Sequence, residues 1–396
     1  MAPPRGFAYQ EFEARTARAQ AAMARRGVEG VLLTSEAEIR YFSGFHTLFW
    51  QSPTRPWFLY LPASGKPIAI IPEIGAALMR RGWLKDIRTW AAPCPKDDGI
   101  SLLVDLLAPL AARGATLGLM MGHETHLHMP LADYQRLLEA LPGLKLADVT
   151  GEVQALRWVK SPAEIAKIAH ICGIAGQAFA QADALFHEGQ PLEEAFAAFR
   201  IACLKLGADD VPYLVGGAAQ GGYDDVISPP TAAPLRAGDV LMLDTGATFD
   251  GYFCDFDRNF AMARADEASR RAYDVLFAAT EAGLDAARPG AACAAVFAAM
   301  QRVITRHSPD EGAVGRLGHG LGMQLTEQPS LAAFDTGILQ ENMVITLEPS
   351  LSYGAGRMMV HEENIVVQNG APRLLSPRAP AALPIIGGRA IIGGRS

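Results

Sequence analysis

The sequence predicts two domains of different build: an α/β domain over residues 1–152 and an α+β domain over residues 153–385, followed by a short tail over 386–396. Three observations carry this. A chain of 396 residues exceeds one ordinary core, at roughly 100–200 residues per domain. Half of the residues are hydrophobic and only 19% are charged, which suits large buried cores rather than a disordered chain. Near Val153 the texture changes, and beyond it long strand-like runs alternate with alanine-rich helical stretches, the pattern of an α+β unit with an antiparallel sheet.

Taken in order, FEARTARAQAAMARR within residues 9–26 spaces its apolar positions for an amphipathic helix, and VEGVLLTS after Gly27 reads as a strand. WFLYLPASGKPIAIIPE reads as two strands joined by a turn at Ala63-Ser64-Gly65, and ATLGLMM as a further buried strand between helical stretches. The segment HETHLH at 123–128 has the composition of a metal site, yet it is expected to be a solvated helix start. The second domain opens on QALRWVKSPAEIAKIAHICGIAGQAFAQADALF, helical in pattern, with Ser161 as N-cap and Pro162 in the first turn. Strand runs follow at DVLMLDTGATFDGYFCDFDRNFAM, ENMVITLEPSLSYG and MMVHEENIVVQNG, with helices at ASRRAYDVLFAATEAGLDAA and AACAAVFAAMQRVITRH. The IIGGR duplication near the end is too short for a structural repeat, and a poorly ordered end is expected there.

The net charge of −7, without a lysine or arginine cluster, argues against nucleic acid as a partner. The N-terminus lacks the apolar core of a secretory signal and no run approaches the ~18 apolar residues of a membrane span, so a soluble, cytoplasmic protein with no membrane partner is expected. Five cysteines, Cys94, Cys172, Cys203, Cys254 and Cys293, stand without CxxC spacing. An odd, scattered set does not suit a disulfide framework; they read as small buried apolar residues, with Cys254, set among acidic residues, the one that has a conceivable ligand role.

VLMLDTGATFDGYFCDFDRNF, residues 240–260, is the most informative stretch. Asp250-Gly251 is a two-residue hairpin signal, since both central positions tolerate positive φ. That turn sets Phe249 against Tyr252, Gly246 against Asp255 and Asp244 against Asp257. Strand alternation then projects Asp244, Asp255 and Asp257 to one side. Three carboxylates bordered by apolar residues repel and lose hydration unless cations or protons compensate them; the alternative is a set of solvated charges on an exposed edge. GRLGHGLGM adds His319 in a glycine-flanked turn, TLEPS adds Glu348 at a strand end, and VHEEN adds Glu362 or Glu363, which must point opposite ways. Such an oxygen-rich set with one imidazole suits Mn²⁺, Fe²⁺, Co²⁺ or Zn²⁺.

In order and spacing these segments resemble the family of methionine aminopeptidase, aminopeptidase P, prolidase and creatinase. Its pattern is an Asp closing a strand, a second Asp 11 positions on in GYxxD, then GHGxG, an EPG-like segment and a Glu 14 residues beyond. This chain has Asp244, Asp255, His319, Glu348 and Glu362 at those places. ALRWVKSPAEI and EIRYFSGF are also similar to family segments, so the resemblance spans nearly the whole chain. It implies a ribonuclease-H-like N-terminal domain, a pita-bread catalytic domain and a homodimer whose N-terminal domain roofs the partner's site. It implies two divalent metal ions, manganese first, with zinc, cobalt and iron as alternatives. Asp244 would chelate one ion, Asp255 and Glu362 would bridge both, His319 would bind the second, and Glu348 would bind metal and handle the proton of the attacking water. The implied reaction is hydrolysis of a C–N bond in a small peptide or peptide-like substrate, Xaa-Pro dipeptides being the model.

Departures from the pattern bear on the substrate. Thr326 stands where a second histidine is expected, Ile227 where a third is expected, and Val360 where an arginine is expected. Asp257 replaces a usual Thr, as an extra ligand or, the better fit, an acceptor behind the ligands. His361 is a candidate replacement acid or base, although alternation turns it away from Glu362. Trp50 and Arg55, in GFHTLFWQSPTRPWF, have the aromatic and arginine content of a contact surface, or equally of an ordinary hydrophobic core with one exposed arginine. A small-molecule hydrolase or lyase on the same scaffold, such as a creatinase, ectoine hydrolase or dimethylsulfoniopropionate lyase, is therefore the alternative to a peptidase. A third reading is a non-catalytic binding module; such members lose ligands, and this chain keeps all five.

Overall fold

The computed structural model describes residues 1–52, 55–307 and 315–387. The chain folds as two compact units, Pro4–Arg157 and Trp158–Ser396, the latter joined by Met1–Pro3.

The first unit runs α1 (Tyr9–Arg26), β1 (Gly30–Leu33), α2 (Glu36–Ser43), β2 (Phe58–Pro62), β3 (Ile68–Pro72), α3 (Ala76–Met79), β4 (Ile87–Trp90), α4 (Ile100–Ala112), β5 (Thr116–Leu119), α5 (Leu131–Ala140), β6 (Lys145–Asp148) and α6 (Thr150–Trp158). Its six strands form one mixed sheet in the order β4-β3-β2-β1-β5-β6. The pair β2–β3 is the antiparallel hairpin expected around Ala63-Ser64-Gly65, while β5 joins β1 in parallel. Leu32, Phe58, Ile70, Leu103, Leu107 and Leu117 pack as its core. Residues 123–128 are not a helix start. They remain turn and coil, with Glu124 at φ 58°, a left-handed conformation that a right-handed helix cannot include, and the helix waits until Leu131. Trp50 lies in a single 3-10 turn, Leu48–Gln51, its ring 5.4 Å from Trp57 and 6.2 Å from Phe45. The Arg55 guanidinium is 5.6 Å from the Phe49 ring, so both residues belong to an aromatic cluster of this unit.

The second unit continues with α7 (Pro162–Phe179), α8 (Ala182–Leu185), α9 (Leu192–Leu206), β7 (Asp210–Gln220), β8 (Asp239–Phe249), β9 (Tyr252–Phe253), β10 (Phe256–Met262), α10 (Glu267–Ala286), α11 (Cys293–His307), β11 (His319–Gly320), β12 (Glu327–Ser330), β13 (Val344–Leu347), β14 (Ser350–Gly354), β15 (Arg357–Val360), β16 (Glu363–Val366), β17 (Arg373–Leu374) and β18 (Ile385–Ile386). The start of α7 is a full capping box: Ser161 Oγ accepts from the Glu164 amide at 3.3 Å, and Glu164 Oε2 accepts from the Ser161 amide at 2.8 Å, an arrangement that contributes about 1 kcal/mol. One sheet has the order β18-β10-β8-β7 with β9 on β8, another β12-β11-β13-β16-β17, and β14 and β15 make a separate hairpin.

The two larger sheets of this unit share a core with α10 and α11, in which Val240, Met242, Leu276, Val296, Met300, Ile345 and Ile365 are buried, each contributing roughly 1.5–3 kcal/mol through apolar burial. The pairing is antiparallel except that β18 joins β10 in parallel, Ile385 beside Ala261 and Ile386 beside Met262. The start of the expected tail is thus an edge strand, with Ile386 at 3% exposure, while residues 388–396 of that tail lie outside the described residues.

Candidate metal centre

The turn forms at Asp250 and Gly251, whose φ values are 47° and 72°. Phe249 opposes Tyr252, and farther along Asp244 opposes Asp257. Between these points the ladder opens. The Asp255 amide donates not to β8 but to Asn364 Oδ1 at 2.9 Å, and Asn364 Nδ2 donates back to the Asp255 carbonyl. One side-chain amide from β16 therefore holds Asp255 beside the segment that carries Glu362.

Gly318 positions the histidine. Its φ is 139°, and a Cβ there would stand 2.3 Å from the Thr346 carbonyl oxygen, so only glycine lets the chain pass this close to β13. The His319 amide then donates to Thr346 Oγ1 at 3.1 Å, and its ring Nδ1 lies 2.9 Å from the Gly320 carbonyl. An Nδ1 beside a carbonyl carries the ring proton, which leaves the Nε2 lone pair free for a cation. Nε2 faces Asp255 Oδ2 at 3.4 Å and Glu348 Oε2 at 3.9 Å. Ligand atoms of Asp255, His319 and Glu362 all lie within 4.8 Å of one another. Glu348, directly after β13, keeps 32% of its side-chain exposure and is the side of the cluster open to water.

The ambiguity between the two adjacent glutamates resolves by hydrogen bonding. Glu363 is enclosed by donors: Arg258 Nη2 at 2.9 Å, Arg378 Nη1 at 3.0 Å, the Ala379 amide at 2.8 Å and the Ser376 hydroxyl. Glu362, at 2% exposure, has an Oε1 with no partner among the described residues. Glu363 is a buried structural anion, and Glu362 faces the cluster.

Loss of water dominates the electrostatics. Burial pushes the carboxyls of Asp255, Asp257 and Glu362 well above the usual range, and their neighbours' charges push them further, while Arg316 opposes the rise at Asp255 and Arg258 opposes it at Asp257. Burial raises Asp244 to about 6 against the hydrogen bond from Tyr213, raises Glu348 to about 7, and lowers His319 to about 4. Asp244 Oδ1, Asp257 Oδ1 and Glu362 Oε1 are buried without a hydrogen-bond partner among the described residues. A buried carboxylate oxygen lacking a donor costs on the order of 1–3 kcal/mol or more, and a divalent cation relieves several such oxygens together. The donor set fits an oxygen-preferring metal with one imidazole ligand.

The remaining candidates are placed as follows. His361 points away from Glu362: its Nδ1 is 2.9 Å from Thr280 Oγ1, and its ring packs edge-on against Tyr273 and Phe277. Strand alternation puts it on the α10 side, so it leaves the set of substrate-contacting candidates. The Cys254 sulfur faces the Thr245 carbonyl, and it is not among the residues whose ligand atoms converge with Asp255, His319 and Glu362. Thr326 is half-buried, next to Glu327, whose carboxylate pairs with Lys160 at 3.0 Å and accepts from the Gln324 amide at 3.1 Å. Leu325 closes over β8, where Gly246 makes room: a Cβ there would meet Leu325 Cδ1 at 2.3 Å.

Three contributors were not anticipated. Tyr213 on β7 donates to Asp244 Oδ2 at 3.1 Å, Asn364 clamps Asp255, and Arg316 places positive charge near Asp255 and Glu348. Asn364 had a readable signal, since it lies two residues beyond Glu362 and so on the same strand face. Tyr213 had none, because its partner is 31 residues away.

Metallopeptidase family M24 matches residues 166–369, and the creatinase/prolidase N-terminal domain matches residues 15–159. The chain is 27% identical over 366 residues to the "Probable dipeptidase PepE" of Mycobacterium bovis, covering 92% of this chain and 93% of that protein. It is 27% identical over 243 residues to the Xaa-Pro dipeptidase of Pyrococcus furiosus, covering 58% and 66%. The crystal structure of dipeptidase PepE from Mycobacterium ulcerans superposes with a TM-score of 0.82 at 26% identity, over 96% of this chain and 99% of that one.

Proposed function

The chain belongs to metallopeptidase family M24 and is a metal-dependent hydrolase, and from this we propose that it hydrolyses the amide bond of dipeptides or similarly small peptide-like substrates, Xaa-Pro dipeptides first. The observation that carries the proposal is the convergence of Asp255, His319 and Glu362 beside buried carboxylate oxygens that have no partner among the described residues.

Two divalent ions, Mn²⁺ first among Mn²⁺, Zn²⁺, Co²⁺ and Fe²⁺, would be held by Asp244, Asp255, His319, Glu348 and Glu362. When bound, such ions supply a lowered water pKa and a positive field for the developing oxyanion. The chain's own residues do the rest. Asp244 is oriented by the Tyr213 hydroxyl, and Asp255 by Asn364. His319 presents Nε2 because Nδ1 is engaged by a carbonyl. Glu348, on the water-exposed side, takes the proton of the attacking water and passes it to the leaving amine. Burial raises its carboxyl in the metal-free cluster, and bound ions would lower it again, leaving the carboxylate ionised to accept that proton. We also read the protein as a homodimer, which sedimentation at several concentrations checks.

The test is metal analysis of the purified protein, with chelation and Mn²⁺ add-back while Xaa-Pro dipeptides are assayed beside creatine and other small amides. About two metals per chain and dipeptide cleavage that disappears with chelator and returns with Mn²⁺ are expected. Asp255→Ala and Glu362→Ala should abolish metal binding; variants that kept both metals and full turnover would rule this site out. A second reading, a hydrolase or lyase of a small non-peptide molecule, is favoured by the absence of an imidazole or guanidinium at Thr326, Ile227 and Val360, where Ile227 is 74% exposed. Bound metal without dipeptide turnover selects it.

A further inference from the structure

Asp257 is a buried carboxylate on β10 where the family pattern has a threonine. It opposes Asp244 directly across the β8–β10 ladder and is 1% exposed. Its Oδ2 accepts from Asn259 Nδ2 at 2.7 Å. Asn259 also donates to the Val360 carbonyl at 2.7 Å and accepts from the Tyr223 hydroxyl at 2.9 Å, while that hydroxyl accepts from the Val360 amide at 2.8 Å. This ring ties β10 to the end of β15, two residues before Glu362. The other oxygen, Asp257 Oδ1, has no partner among the described residues, and neither has Asp244 Oδ1.

A threonine hydroxyl can donate a hydrogen bond, whereas an ionised carboxylate has nothing to donate. Like charges directly opposed on neighbouring strands repel, and here Asp257 and the Oδ1 of Asp244 are buried away from solvent. A proton on one of the two, or a cation within reach of both, relieves that repulsion. We propose that Asp257 is an additional carboxylate of the metal centre, its free oxygen and that of Asp244 serving the same cation. The proposal rests on the metal reading above. A fifth carboxylate leaves the set more negative than two divalent ions neutralise, and carboxylate oxygen suits Mn²⁺ in particular.

Mn²⁺ titration of the metal-free full-length protein by calorimetry tests this, with Asp257→Asn and Tyr223→Phe as paired variants. Asp257→Asn keeps the acceptor for Asn259 and removes the charge; Tyr223→Phe breaks the ring and keeps the carboxylate. Expected is an affinity about 10–100-fold weaker at one site in Asp257→Asn, with no fall in the unfolding temperature of its metal-free form. Tyr223→Phe should keep the wild-type affinity while its unfolding temperature falls. Wild-type affinity in Asp257→Asn overturns the proposal, and equal loss in both variants overturns it in favour of a purely positioning role. Wild-type protein that binds no Mn²⁺, Zn²⁺ or Co²⁺ fails the metal reading itself, a result separate from any difference between the variants.

Discussion

Asp244 and Asp255 have the same chemistry but are held by different means. Asp244 sits in a regular ladder and takes its orientation from Tyr213, whereas Asp255 sits where the ladder opens and depends on Asn364. Replacing Tyr213 with Phe removes the donor and should weaken metal binding roughly tenfold, as loss of a hydrogen-bonded partner behind a ligand does. Calorimetric titration checks this, and unchanged affinity would show that the hydroxyl is not needed. The pair Glu362 and Glu363 illustrates what is legible at this scale. Alternation says that the two part company, but the choice between them was decided by Arg258, Arg378 and Ser376 gathering around Glu363, contacts that no local pattern records.

At the scale of elements, short-range chemistry was readable and long-range geometry was not. Asp-Gly announces the β8–β9 turn because two successive residues need positive φ, and Ser161 with Glu164 announces α7. The departure of the Asp255 amide from its ladder depends on β16, more than a hundred residues downstream, and so left no trace near Asp255 itself. The same holds for β18, whose two isoleucines become a strand only because β10 offers them an edge. Gly318 is the most sensitive single position of these elements. An added Cβ would meet the Thr346 carbonyl at 2.3 Å, and Gly318→Ala is expected to destabilise the protein by about 2–3 kcal/mol and to displace His319. Urea unfolding measures the first and metal titration the second; a variant equal to wild type in both would mean that the backbone shifts at little cost.

For the whole molecule, the cluster couples folding to pH and to metal. Stability changes with pH as the difference in protons bound by the unfolded and native states. Asp244 and Glu348 start from 3.8 and 4.5 and rise to about 6 and about 7 in the fold, so the native state binds more protons within those windows and metal-free stability falls as pH rises through them. His319 moves the other way, from 6.5 to about 4, so its contribution rises across that window and offsets part of the fall. Asp255, Asp257 and Glu362, also raised, extend the fall to higher pH. Bound cations need these carboxylates ionised, so metal stabilisation grows with pH. At free Mn²⁺ about a hundredfold above Kd the gain is about 2.7 kcal/mol, or roughly 5–10 °C in unfolding temperature for a unit of this size. Thermal scans with and without Mn²⁺ should show that shift at pH 8 and a smaller one at pH 5.5; equal shifts would uncouple the carboxylates from metal binding.

By itself the sequence determined the change of build between two domains, the capped start of α7, the Asp-Gly turn and the order of the acidic and histidine segments, because each is carried by local pattern or order along the chain. Only the tertiary structure decided which glutamate faces the cluster, that the Cys254 sulfur lies against the Thr245 carbonyl, and that Tyr213, Asn364 and Arg316 complete it. Those outcomes depend on burial and on partners far apart in sequence, where a carboxylate's role is set by which donors and charges the fold brings to it.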